Sequence, residues 1–281
     1  MTHDEIRDAL RNRMTACDLC PNRCGADRTC GQTGLCGVDD TPSVYQNFMH
    51  YGEEMPLIPA FVINLCGCSL SCPTCPERVR FGQKRLPVGS PAGYAAALKS
   101  YFGRRQMPKA VEWIGGEPSA QIAFVLETSW RLKEIMDPCP LIYLNTNGYF
   151  DLGLLDRMQG AIDGFVFDLK CMPGCEAVVG GHADYFDVVT RVMMRAAALY
   201  PEHLIIRHLV MPGHVSCCTA RVLAWCVSHV PAACLNLMTG FEDFESGLAL
   251  PEADRQAALE VMRRMAREGD MINGQSIIRN S

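Results

Sequence analysis

Six short apolar runs, each followed by a longer segment of helical spacing, constrain this chain more than any other feature. The runs are FVINL (61–65), VEWIGG (111–116), LIYLNTN (141–147), GFVFDLK (164–170), LIIRHLV (204–210) and CLNLMT (234–239). Between and after them lie segments such as PAGYAAALKSYFGRR, AQIAFVLETSWRLKEIM, DVVTRVMMRAAALY, CTARVLAWCVSHV and PEADRQAALEVMRRMARE, with a shorter helix near DLGLLDRMQG. Strands in series joined by helices must run parallel, because a parallel connection needs a crossover of a dozen residues or more. Six units are fewer than the eight of a closed barrel. The expected fold class is therefore α/β, a partial, open (βα)6 barrel over residues 61–281, with an open doubly wound sheet as the structural alternative. In both, chemistry belongs at the carboxyl ends of the strands.

Residues 1–60 read differently. The first 16 are charged at helical spacing and lack the apolar stretch of a secretory signal. Residues 17–60 are rich in Cys, Gly, Pro and Asp with little periodicity, which predicts a small Cys-rich N-terminal extension organised by metal. A net charge of −5 argues against a nucleic-acid partner. No apolar run approaches the length of a membrane span. The expected setting is cytoplasmic, and there sixteen cysteines point to metal or catalytic sites rather than disulfides.

The cysteines fall into groups. CGCSLSCPTC directly follows the first run, and Cys68, Cys72 and Cys75 within it are close enough in sequence to converge on one object. A four-iron cubane normally takes four thiolates, so three leave one iron open to a ligand. A zinc or ferredoxin-like site recruiting Cys66 is the competing reading. Cys66 is otherwise expected to be a packing residue. At the N-terminus Cys17, Cys20, Cys24, Cys30 and Cys36 supply five thiols in twenty residues.

The other strand ends carry polar groups. Gly115, Gly116 and Glu117 end the second run; two glycines let a ligand approach the backbone, and a carboxylate can take an ammonium. Asn145 ends the third, Asp168 and Lys170 the fourth, and Arg207 lies on the fifth. Lys170 and Arg207 need partners: a ligand carboxylate, or an internal salt bridge to Asp168 or Glu117. His208, one residue on, faces the opposite way and reads as a packing histidine. Cys171 and Cys175 are read either as core fillers or as additions to a site. Cys217, Cys218, Cys226, Cys234, Met193, Met194 and Met211 read as core, and His182 as part of a loop that could cap a site.

The Cys68-x3-Cys72-x2-Cys75 spacing with GGEP on the next strand resembles the radical S-adenosylmethionine superfamily. LNTNGY, DLK and IIRHLVMPGH resemble the pyruvate formate-lyase activating enzyme-like branch. The run CDLCPNRCGADRTCGQTGLC followed by HYGEE resembles its PflX-like subgroup. The resemblance implies a 4Fe-4S cluster on Cys68, Cys72 and Cys75, with S-adenosylmethionine bound among Gly115, Gly116, Glu117, Asn145, Asp168, Lys170 and Arg207. It also implies a second metal site, iron–sulfur or zinc, on Cys17, Cys20, Cys24 and Cys36. The implied chemistry is reductive cleavage to a 5′-deoxyadenosyl radical for hydrogen abstraction, served by an electron donor such as flavodoxin or ferredoxin. The implied substrate is a glycyl radical enzyme; a peptide or small molecule is the alternative, as is a non-catalytic iron–sulfur carrier. Two positions depart from the pattern: Thr74 stands where an aromatic residue is common, and Met238 and Thr239 stand near a histidine of some activating enzymes.

Overall fold

The computed structural model describes residues 1–52, 56–77, 86, 88–243 and 246–266, with the backbone of short strands at 271–273 and 276–278. The chain forms two compact units, one of Met1–Ser69 with Glu77–Gly164 and the other of Leu70–Pro76 with Phe165–Ser281.

The first unit begins with helix α1 (His3–Met14), which is closed by a capping box: Thr2 accepts from the Glu5 N–H, and Glu5 accepts from the Thr2 N–H. Ile6, Leu10 and Met14 form its buried stripe. A single 3-10 turn follows at Arg28–Cys30, and then strand β1 (Val44–His50) pairs antiparallel with β2 (Ala60–Leu65). This strand lies within residues 17–60, where the sequence shows little periodicity. Polar Gln46 and Asn47 break its apolar pattern and hide it in the sequence.

Strands β2, β3 (Ala110–Gly115) and β4 (Leu141–Thr146) are parallel and adjacent in that order. Every residue of β2 is buried, the mark of a parallel strand covered on both faces. Helix α2 (Pro91–Arg104) joins β2 to β3, with Ser90 capping it and Pro91 at its first position; α3 (Ile122–Ile135) joins β3 to β4, and α4 (Leu154–Met158) follows β4. Trp113, Phe124 and Tyr94 pack as one aromatic group between the strands and these helices.

The second unit repeats the scheme. Strands β5 (Gly164–Asp168), β6 (Leu204–Leu209) and β7 (Cys234–Met238) are parallel, joined by α5 (Tyr185–Leu199) and α6 (Ala220–His229), with α7 (Glu252–Met265) following β7. A two-residue pair, β8 (Glu242–Asp243) with β9 (Leu248–Ala249), lies between β7 and α7. Strands β10 (Met271–Asn273) and β11 (Ser276–Ile278) form a hairpin, and β11 pairs antiparallel with β7. The fold is α/β, with three parallel βα units in each compact unit, as the alternation of runs predicts. No helix among the described residues is long and apolar enough to cross a membrane.

Candidate metal centres and strand-end site

Four cysteines of the N-terminal segment line one small cavity: Cys17, Cys20, Cys24 and Cys36, with Leu19 and Leu35 beside them. Cys30 is not among them and is exposed. The chain reaches this arrangement through tight turns, with the Gly25 N–H donating to Cys17 O and the Cys17 N–H to Ala26 O, both at 3.0 Å.

Arg28 gives the cavity its electrostatics. Its guanidinium is buried, donates to Ala120 O at 2.6 Å and Asp39 O at 2.8 Å, and lies 3.8 Å from Cys17 Sγ. Its Nε has no hydrogen-bond partner among the described residues. A buried cation against four thiols fits a group that makes those thiols anionic. Burial pushes the Cys20 thiol up to about 11 and raises Cys36, so without such a group both are protonated. Burial also acts against Cys24, but N–H groups including those of Ala26 and Leu35 outweigh it and lower its pKa.

The segment continues into the second cysteine group. The Cys68 N–H donates to Cys36 O at 3.0 Å, and Gly67, with φ +85°, lets the chain pass so close that a Cβ there would lie 2.8 Å from Val38. Cys66 packs with Val38, Tyr45 and Ala120 in a buried cluster, as expected of a packing residue. Cys68 Sγ lies 3.5 Å from Asn147 Nδ2. Asn147 follows β4, is buried, and also reaches Ser69 Oγ at 3.3 Å. Asn147 is not among the expected site residues, although the LNTNGY motif contains it.

Glu117 is fully buried and does not reach outward. Its Oε1 accepts from Ser119 N at 3.0 Å and Thr146 Oγ1 at 2.7 Å, and its Oε2 accepts from Asn147 N at 2.8 Å. Burial raises its pKa against these hydrogen bonds. As placed, the carboxylate ties the end of β3 to the end of β4. Gly115 likewise serves the sheet: with φ +114°, a Cβ there would meet Leu65 N and O at 2.4 Å, and the Gly116 N–H donates to Leu65 O. The expected approach of a ligand to Gly115 is replaced by the approach of a neighbouring strand. Asn145 is buried, its amide 3.3 Å from Glu112 Oε2.

In the second unit, Asp168 and Arg207 are register partners across β5 and β6. Arg207 Nε donates to Asp168 Oδ1 at 2.8 Å, and Lys170 Nζ to Oδ2 at 2.9 Å. Of the alternatives for the two cations, this is the internal salt bridge to Asp168. Burial works against the Asp168 charge, but the two cations win and hold its pKa well below the carboxylate range. Cys72 belongs to this unit; burial raises its thiol, and the Lys170 charge opposes that rise.

His208 faces the other way, as strand alternation requires. Its Nδ1 contacts Leu169 O at 2.7 Å and its Nε2 contacts Thr219 Oγ1 at 3.0 Å. The carbonyl can only accept, so Nδ1 carries the proton and Nε2 accepts from the hydroxyl. Burial pushes the pKa down to about 4.

Two core assignments are corrected. Cys217 is exposed: it lies in a π-helical turn (Val215–Thr219) whose buried residues are Cys218 and Thr219. Met194 is 41% exposed, while its neighbour Met193 is buried. Glu53 and Glu54 of HYGEE lie outside the described residues.

Over 268 residues the chain is 27% identical to an uncharacterized protein of Methanocaldococcus jannaschii, spanning 92% of this chain and 75% of that protein. No protein-family model matches it. Among solved structures it is similar to a histidine-tagged anSMEcpe with bound AdoMet, at a TM-score of 0.48 and 16% identity, over 70% of this chain and 56% of that one. It is also similar to coproporphyrinogen III oxidase (HemN) from Escherichia coli, described as a radical SAM enzyme, at a TM-score of 0.46 and 14% identity. That likeness covers 61% of this chain and 43% of the other, so the chain spans about half the length of these solved proteins.

Proposed function

We propose that the chain is a radical S-adenosylmethionine enzyme, with a 4Fe-4S cluster held by Cys68, Cys72 and Cys75 and S-adenosylmethionine bound at its open iron. Together these cofactors supply one-electron cleavage of the sulfonium, giving methionine and a 5′-deoxyadenosyl radical that abstracts hydrogen from a substrate.

The observation that carries this reading is the pairing at the ends of β5 and β6. Lys170 and Arg207 converge on Asp168 at neighbouring strand ends, in the unit that also holds Cys72. Two cations gathered at strand ends suit a ligand carboxylate, for which an electron carrier has no evident use. On this reading Asn147 orients the Cys68 sulfur and donates a hydrogen bond toward it. Glu117 and Asn145 act as positioning residues, since their hydrogen bonds as found are internal. A reducing donor such as flavodoxin or ferredoxin and a cytoplasmic setting belong to the same reading. Activation of a glycyl radical enzyme is its finer form and rests on the sequence resemblance alone.

The N-terminal cavity is read as a second iron–sulfur site on Cys17, Cys20, Cys24 and Cys36. Four cysteines that line one cavity suit an inorganic core, and the buried Arg28 beside Cys17 suits its negative charge.

The test is anaerobic loading with iron and sulfide, chemical reduction, and assay for 5′-deoxyadenosine. Cleavage is expected, together with a change in the paramagnetic spectrum when S-adenosylmethionine is added. Loaded protein showing neither would end the reading. A variant with Cys68, Cys72 and Cys75 all changed to Ala should retain iron at the N-terminal site; zinc alone there would replace the second cluster by a structural ion.

A further inference from the structure

A third group of metal-binding side chains lies apart from the thiols above. Cys175 sits in the loop after β5, at the start of a 3-10 turn (Glu176–Val179). His214 and Cys217 follow β6, His214 just before the π-helical turn and Cys217 inside it. Cys175 Sγ is 3.8 Å from Cys217 Sγ, Cys217 Sγ is 3.5 Å from His214 Nδ1, and all three atoms lie within 4.8 Å of one another.

These separations have a chemical meaning. Around a tetrahedral zinc, with bonds of about 2.3 Å to sulfur and about 2.05 Å to nitrogen, two sulfurs lie about 3.8 Å apart and sulfur and nitrogen about 3.5 Å apart. The observed pairs match both values. A disulfide would need the sulfurs at about 2.05 Å, and both cysteines are free.

The two loops are joined by bonds that use none of the three ligand atoms. The Met172 N–H donates to Cys218 Sγ at 3.2 Å, while Arg221 Nη1 donates to Pro173 O and Cys217 O, each at 3.3 Å. The arrangement is therefore held in place by the loops themselves. Cys175 is buried, His214 half-buried and Cys217 exposed, so the group opens to solvent on one side.

We propose that Cys175, His214 and Cys217 bind one thiophilic divalent cation, zinc foremost, leaving a fourth position for water or a heteroatom of a substrate. Two thiolates and an imidazole suit zinc and not magnesium or calcium. Three protein ligands with one position open is the pattern of reactive rather than purely structural zinc sites. Cys218 stands outside the common span and is engaged by the Met172 N–H. The site does not depend on the cluster reading above.

The test uses the full chain, already loaded with iron and sulfide so that the other thiols are occupied. It is equilibrated anaerobically with Zn²⁺ or Co²⁺ alone, freed of excess metal, and analysed for bound metal and for ligand type by X-ray absorption and the cobalt spectrum. One equivalent is expected, with two sulfurs and one nitrogen in its shell. Cys217→Ala and His214→Ala should each weaken its binding at least about tenfold, as loss of a ligand requires, with iron content unchanged. Both positions are accessible, so these variants are expected to fold, and circular dichroism checks that they do. The proposal is overturned if the wild type retains no zinc or cobalt, if both variants retain as much as the wild type, or if anaerobic protein carries a Cys175–Cys217 disulfide instead. Should iron loading fail, the difference between the wild type and these variants still decides the zinc site by itself.

Discussion

Asn147 holds its side-chain amide 3.5 Å from the Cys68 sulfur while its Oδ1 accepts from the Tyr149 N–H at 2.7 Å. The backbone bond fixes which way the amide faces, so an N–H group and not a carbonyl is presented to the sulfur. Hydrogen bonds to cluster sulfurs raise reduction potential by stabilising the more negative, reduced form.

If Cys68 holds the proposed cluster, Asn147→Ala is expected to lower its midpoint potential, measured by a redox titration followed by electron paramagnetic resonance. Loss of the side chain also removes its bonds to Ser69 and Tyr149, at a cost of about 1–3 kcal/mol for groups this buried. An unchanged potential with lowered stability would reduce Asn147 to a purely structural residue.

Asp168 carries both cations at the ends of β5 and β6. Asp168→Asn keeps the shape but leaves Lys170 and Arg207 without their shared carboxylate. Breaking a buried pair costs about 3–5 kcal/mol, and the 25% exposure of Asp168 reduces that to roughly 2–4 kcal/mol. Denaturant unfolding of the folded variant should show the loss. Binding of S-adenosylmethionine should weaken as well, because the cations lose the group that positions them.

The six parallel strands are legible in the sequence because burial on both faces makes them unbroken apolar runs, as in Ala60–Leu65. Strand β1 is not legible, since its Gln46 and Asn47 give no period for a reader to follow. A metal site among the N-terminal thiols is foreshadowed by spacing, because close thiols in a loop-rich segment have few other uses, while the choice of Cys17, Cys20, Cys24 and Cys36 over Cys30 comes from the family resemblance. The salt bridge of Lys170 and Arg207 to Asp168 is legible only as one of several alternatives, for the choice depends on the register that sets Asp168 opposite Arg207. His214 and Cys217 escape for a different reason. Their third member, Cys175, lies on another loop 42 residues before Cys217, so no spacing in the sequence announces the group.

Two glycines give a paired test of close strand approach. At Gly115 a Cβ would lie 2.4 Å from Leu65 N and O, so Gly115→Ala must separate β2 from β3 or distort both. The expected cost is about 4 kcal/mol or more, at the severe end for single substitutions. Gly103, inside α2, has nothing within 4 Å of an added Cβ, and Gly103→Ala should stabilise by about 0.5–1 kcal/mol through helix propensity. Thermal unfolding of the two variants should move in opposite directions.

His208 predicts a pH dependence whose sign follows from its burial. In the fold its pKa lies at about 4, against an unfolded value near 6.5. Above pH 6.5 the ring is neutral in both states and contributes no penalty. As pH falls through 6.5 the unfolded chain takes a proton that the folded chain refuses, so stability declines down to pH 4 and then levels. The full difference is about 3 kcal/mol, at about 1.4 kcal/mol for each pH unit that separates the folded from the unfolded value. Urea unfolding at pH 7.5 and pH 5 should show most of that loss in the wild type. In His208→Gln, which preserves a donor and an acceptor without a titrating ring, the decline between those two values should shrink by the same amount. An equal decline in both proteins would assign the pH dependence to other groups and contradict the placement of a neutral His208 between Leu169 and Thr219.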